Sequence, residues 1–178
     1  PWNFPVNLSF GPLAAIFAAG NQVMHKPSEL TPITASLIKD LCDKAYDENE
    51  FATFLGGPEV GEAFTKLHFD HLLYTGSGNI GKHVMQSASQ NLVPVTLELG
   101  GKSPNIILAD ADIEAAVKRG VQQMFGNSGQ SCNAPSRMIV PRDKLAQAEE
   151  VASKVTAKIV VGDPAAEDTT MGPVVSQV

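Results

Sequence analysis

Polar and apolar positions along this chain repeat with two periods that take turns. Over residues 93–99 the period is two. Val95, Leu97 and Leu99 fall on one side and Thr96 and Glu98 on the other, which predicts a strand and turns Glu98 off the apolar face. After Asp110, Ala111 and Asp112 the period becomes that of a helix. Its stripe is Ile113, Ala116, Val117, Gly120, Val121 and Met124, and the acids cap its start. Thr31 followed by Pro32 predicts a second helix start, with Ile33, Leu37 and Leu41 as its buried stripe. A third helix should turn Leu145, Ala148, Ala152, Val155 and Ile159 inward. Residues 8–19 are apolar and small and read as one helix, ending at Gly20 as a helix C-terminus favours. Residues 59–67 and 80–88 complete the predicted helices.

Short apolar runs at residues 22–25, 51–55, 70–74, 105–109 and 137–140 read as further strands, that at 105–109 as a buried one. Strands and helices therefore alternate throughout. This predicts an α/β fold with mostly parallel strands, without internal repeats.

Apolar residues make up 43% of the 178 positions, enough for a substantial core. The net charge of −6, with 13 scattered Lys and Arg, gives no footprint for nucleic acid or an anionic membrane. No run approaches the roughly 20 apolar residues of a membrane span, and none has the flanks of a signal peptide. The two cysteines, Cys42 and Cys132, provide neither a disulfide framework nor zinc-ligand spacing, so no metal is expected and a cytoplasmic setting is. The opening Pro1-Trp2 and the stop soon after Met171-Gly172-Pro173 read as the edges of a piece of a longer chain.

Gly76, Ser77, Gly78, Asn79, Ile80 and Gly81 fit G-x-G-x-x-G between a predicted strand and a predicted helix. That context suits a pyrophosphate on backbone N–H groups, or a tight turn that needs glycine's backbone freedom. The same pattern expects an acid about 20 residues on as a ribose ligand, and Glu98 stands there. Cys132, flanked by Gly129, Gln130 and Ser131 instead of aliphatic residues, is a candidate nucleophile; Cys42, inside an amphipathic helix, reads as packing. His25, His68, His71 and His83 form no spaced pair.

Taken together, Pro1-Trp2-Asn3-Phe4-Pro5, Lys26-Pro27-Ser28-Glu29, the stretch from Phe69 to Ser77, Leu97-Glu98-Leu99-Gly100-Gly101-Lys102-Ser103-Pro104-Asn105 and Gly129-Gln130-Ser131-Cys132 resemble the aldehyde dehydrogenase superfamily. The order of these motifs and the 34 positions between Glu98 and Cys132 also resemble that family, with wording nearest its fatty and aromatic aldehyde branch. The resemblance implies a Rossmann-like parallel sheet. Residues 1–97 would be the C-terminal part of an NAD(P)-binding domain and residues 98–178 the N-terminal part of an α/β catalytic domain.

It further implies that Cys132 attacks an aldehyde, that the Asn3 amide and the Cys132 N–H hold the oxyanion, and that Glu98 activates the water that hydrolyses the thioester. Relatives that pass the acyl group to coenzyme A tend to lack such a glutamate, so a free carboxylate is the implied product. Lys26 and Glu29 would take the adenosine ribose, and the 76–81 turn the pyrophosphate with Ser77 as a hydroxyl donor. Trp2 would line the cofactor or substrate entrance, or pack in the core. Glu29 would repel a 2′-phosphate whereas Lys26 and Ser28 would welcome one, which favours NAD and leaves NADP open. Bland roles stand beside each of these: a helix cap for Asn3, a solvated strand end for Lys26, a helix-entry acid for Glu29, a structural or ribose acid for Glu98. The whole protein is expected to be a homo-oligomer, and this piece alone inactive, because the family's later Glu-x-Phe-Gly-Pro segment is not in it.

Overall fold

Residues 8–19 do not form one helix. In the computed structural model, which describes residues 1–177, Gly11 and Pro12 divide them into α1 (Pro5–Phe10) and α2 (Leu13–Ala18). Proline has no N–H to donate and its ring clashes with the carbonyl four residues back, so α1 ends before it. α2 closes as its sequence predicts. Gly20 takes the left-handed conformation (φ 78°), its N–H donates to the Phe17 carbonyl, and the Asn21 N–H to that of Ile16, a Schellman pair.

The chain divides into two units, Pro1–Leu99 and Gly100–Val178. In the first, β1 (Val23–His25), α3 (Pro32–Ala45) and β2 (Phe51–Thr53) are followed by α4 (Pro58–Phe64), β3 (Leu72–Gly76), α5 (Gly78–Ala88) and β4 (Val95–Leu99). The second contains β5 (Pro104–Ile106), α6 (Ile113–Phe125), β6 (Arg137–Ile139) and α7 (Leu145–Thr156). Three pairs, β1 with β2, β3 with β4 and β5 with β6, are parallel, and each is joined through a helix, as parallel neighbours require. The α/β class is therefore what the chain shows. Among the described residues the strands pair as small two-stranded parallel sheets, three in number.

Two corrections concern which face is buried. α3 buries Ala35, Ile38 and Cys42, while the expected stripe, Ile33, Leu37 and Leu41, is 86%, 56% and 51% exposed. The reason lies opposite the helix. Phe51 fills the core there, ringed by Phe17, Tyr46 and His25 at 5.6–6.1 Å, and α3 turns its smaller side chains to it. Residues 105–109 are likewise not a wholly buried strand, since Ile107 is buried but Ile106 and Leu108 are 63% and 64% exposed. Thr31 stands at the N-cap of α3 without accepting a capping bond.

The α6 stripe holds. Ile113, Val117, Gly120 and Val121 are buried, and the Asp112 carboxylate accepts the Ala115 N–H at 3.1 Å. Gly120 lets α6 close on β5, because a Cβ there would collide with Asn105 Nδ2. On α7, Ala148 is buried but Leu145, its first residue, is 47% exposed, so inward packing begins one turn later than expected. No helix among the described residues is long and apolar enough to cross a membrane.

Candidate active site

β3 ends at Gly76 and α5 begins at Gly78, with Ser77 between them as N-cap, its Oγ accepting the Ile80 N–H at 3.4 Å. None of Gly76, Gly78 and Gly81 has a positive φ, so backbone freedom is not why glycine stands there. Space is the reason. A Cβ on Gly76 would run into the Tyr74 hydroxyl, and one on Gly81 would come within 3.0 Å of Leu99 Cδ2. A Cβ on Gly78 would meet no described residue beyond its own turn within 4 Å. Ser77, Gly78, Asn79 and Ile80 are exposed while Gly81 is buried. The turn thus presents the N-terminus of an 11-residue helix, whose first N–H groups have no partner within the helix. That donor set and the open space over Gly78 fit a pyrophosphate.

Tyr74 is a neighbour of the turn that the sequence patterns do not single out. Its hydroxyl hydrogen-bonds Ser77, and burial pushes its phenol pKa up, against that bond and with a contribution from the Glu29 carboxylate. The signal was present in period two: Tyr74 and Gly76 lie on the same face of β3. Glu98 sits on the adjacent strand opposite Thr75, one register step before Gly76 meets Leu99, and is exposed.

Lys26 follows β1 directly. Its Nζ donates to Glu29 Oε2 at 2.7 Å, and its side chain is only 15% exposed, which is not a solvated strand end. The Lys26 hydrogen bond holds the Glu29 carboxyl below its usual range, so Glu29 is an anion at neutral pH. Glu29 influences Tyr74, which brings the glycine turn and the Lys26–Glu29 pair into one neighbourhood. Trp2 and Asn3 are half-buried. The N-cap position of α1 falls on Phe4, which makes no side-chain cap.

Cys132 belongs to the second unit. It is exposed, in a turn closed by the Ala134 N–H on the Ser131 carbonyl at 3.1 Å, whereas Cys42 is buried and 1% exposed. The Cys132 carbonyl accepts the Ser103 hydroxyl at 3.4 Å, which ties the turn to the Gly100-Gly101-Lys102-Ser103 stretch. Arg137 Nε adds a bond to the Lys102 carbonyl at 2.6 Å. Just upstream, Asn127, Ser128 and Gly129 all take left-handed conformations, at φ 53°, 57° and 75°. At a non-glycine residue such a conformation costs about 1–3 kcal/mol and persists only where surroundings enforce it. Among the expected site residues, then, the first unit gathers the glycine turn, Glu98, Lys26 and Glu29, and the second holds Cys132 with Ser103.

Comparison with known proteins gives one family. A model described as "Aldehyde dehydrogenase family" matches residues 1–178. The chain is 55% identical over 145 residues to a probable coniferyl aldehyde dehydrogenase of Caulobacter vibrioides, covering 82% of this chain and 30% of that protein. It is 45% identical to a 3-succinoylsemialdehyde-pyridine dehydrogenase of a Pseudomonas species, covering 99% of this chain and 38% of the relative. Among solved structures, a cysteine-to-alanine mutant of aldehyde dehydrogenase C from Pseudomonas syringae, in complex with NAD+ and octanal, is 44% identical with a TM-score of 0.93. That match covers 99% of this chain and 37% of the other. The chain thus spans about a third of the length of the relatives it matches, 30% and 38% for the two named.

Proposed function

The chain belongs to the aldehyde dehydrogenase family, and from that premise we propose that it supplies part of an enzyme that oxidises an aldehyde to a carboxylic acid with NAD, NADP remaining open. The observation that carries this reading is the contrast between the two thiols. Cys132 is exposed in a turn braced from two sides, and Cys42 is buried. Residues 1–97 then serve the cofactor domain and residues 98–178 begin the catalytic one.

The chemistry follows from what these groups can do. A thiolate at Cys132 adds to the aldehyde carbon, and the carbonyl oxygen becomes an alkoxide. The side-chain amide of Asn3 and the N–H of Cys132 donate to that oxygen, each such donor being worth about 3 kcal/mol in the transition state. A nicotinamide bound there would supply a hydride acceptor, and the oxidised acyl group would be left as a thioester on Cys132. Glu98 takes a proton from water, the resulting hydroxide attacks the thioester, and the Cys132 thiolate leaves as the carboxylic acid forms. For the cofactor, the exposed N–H groups of Gly78 and Asn79 and the Ser77 hydroxyl suit the pyrophosphate, and the Lys26–Glu29 pair suits the ribose hydroxyls. Trp2 is assigned to the entrance.

The relatives' names, coniferyl aldehyde among them, and the octanal bound to the Pseudomonas syringae protein support long aliphatic or aromatic aldehydes as the substrate class. The whole enzyme is placed in the cytoplasm as a homo-oligomer. Replacing Cys132 by Ala in the whole enzyme tests the reading: cofactor binding by titration is expected to be retained and aldehyde oxidation lost. Oxidation that survives Cys132→Ala would leave a nucleotide-binding module in which this thiol is silent.

A further inference from the structure

The three left-handed residues before Cys132 are held by side chains that the chemistry above does not use. Gln130 donates from its main-chain N–H (3.0 Å) and from Nε2 (3.1 Å) to the Asn127 carbonyl, while Asn127 Nδ2 donates back to the Gln130 carbonyl at 3.3 Å. This closes a ring around the turn. Two further bonds reach residues 44 and 45 positions away: Ser128 Oγ donates to the Gly172 carbonyl at 2.9 Å, and Gln130 Oε1 accepts the Val175 N–H at 2.9 Å. The segment they reach is itself fixed, since Met171 pairs with Val161 and the Met171 and Thr170 N–H groups both donate to the Val160 carbonyl.

We propose that Gln130 and Ser128 are positioning residues for Cys132, their side chains fastening the left-handed turn at residues 127–129 to the strap at residues 172–175 and so fixing where the thiol is presented. This rests on Cys132 being the nucleophile. Two features make it more than local packing. The turn has two non-glycine residues in a conformation they rarely adopt, so it needs an external hold. In addition, the amide of Gln130 is fully used, its oxygen on the strap and its nitrogen on the turn, only two residues before the sulfur. The Met171-Gly172-Pro173 stretch, which no step of the chemistry employs, acquires a role as the anchor.

The test uses the whole enzyme and three variants, Gln130→Ala, Ser128→Ala and Cys132→Ala. kcat is expressed per thiol that iodoacetamide titrates in the folded protein, with buried Cys42 as the unreactive reference. Gln130→Ala is expected to lower kcat per titrated thiol at least tenfold and to alter the pH profile of Cys132 alkylation, with the KM for cofactor unchanged. Ser128→Ala, which removes one bond, is expected to lower it about threefold. A merely structural loss would reduce the amount of folded enzyme and leave kcat per titrated thiol and the alkylation profile as they were, and that result overturns the proposal. If Gln130→Ala does not fold, Ser128→Ala decides by the same two readouts. Cys132→Ala keeps the two ideas apart. Activity surviving that change ends the nucleophile reading, whereas its loss together with full per-thiol activity in Gln130→Ala ends the positioning proposal alone.

Discussion

Single residues carry most of the chemistry, and the glycine turn shows how differently three copies of one residue type are employed. Gly76 and Gly81 make room for Tyr74 and Leu99, while a Cβ on Gly78 would meet no described residue beyond its own turn within 4 Å. Gly76→Ala should therefore displace the Tyr74 hydroxyl from Ser77 and disturb both stability and cofactor binding. Gly78→Ala should leave the free energy of urea unfolding within about 0.5 kcal/mol of the original, as a surface change does, yet weaken NAD binding. Isothermal titration beside urea unfolding separates the two; equal losses of both properties in Gly78→Ala would count against the pyrophosphate assignment. Glu98→Gln tests the general base. It is expected to slow kcat by about 10² to 10⁴ and to let an acyl thioester accumulate on Cys132, visible as a mass increase on the intact protein.

At the level of elements, the decisive contacts lie where helices close on strands. Gly120→Ala would push Asn105 out of its place and should destabilise the second unit by about 1–3 kcal/mol, and in an Asn105→Ala background the loss should shrink. Urea unfolding of the four proteins of that cycle measures it. β1 contributes a pH response. Burial holds His25 down at about 4 from the ordinary 6.5. The unfolded chain therefore takes up a proton that the folded one refuses. Stability from this group is complete above pH 6.5 and is lost as pH falls towards 4, by an amount of order 2–3 kcal/mol. His25→Asn should flatten that part of the stability profile between pH 7.5 and 4.5, measured by urea midpoints.

For the molecule as a whole, the outer stripe of α3 is the conspicuous surface. Ile33, Leu37 and Leu41 stay largely exposed, as do Ile106 and Leu108 in the second unit. Apolar area of this kind favours association. The 178-residue chain on its own is expected to self-associate in light scattering, and replacing Ile33, Leu37 and Leu41 by Lys, Lys and Gln should suppress this without lowering the unfolding midpoint. A collapse of stability in that triple variant would mean the stripe is core after all. On the proposed function the chain alone should also produce no NADH from any aldehyde. Steady production would refute its assignment as one part of the active enzyme.

What the sequence by itself determined is what neighbours a few positions apart decide. Period two put Glu98 on the exposed side of β4, glycine supplied the left-handed residue after α2, and Asp112 capped α6, because sterics and hydrogen bonding within one turn suffice for each. The break at Gly11 and Pro12 was equally local and was legible in principle. Tertiary structure decided the rest. α3 has two apolar stripes, and the one bearing Cys42 is the one that packs with Leu13 and Phe51. That the residues before Cys132 form a left-handed turn depended on groups 44 and 45 positions away, too far along the chain for any local pattern to register. Side-chain periodicity reports which faces are able to be buried; what stands against them in space determines which one is.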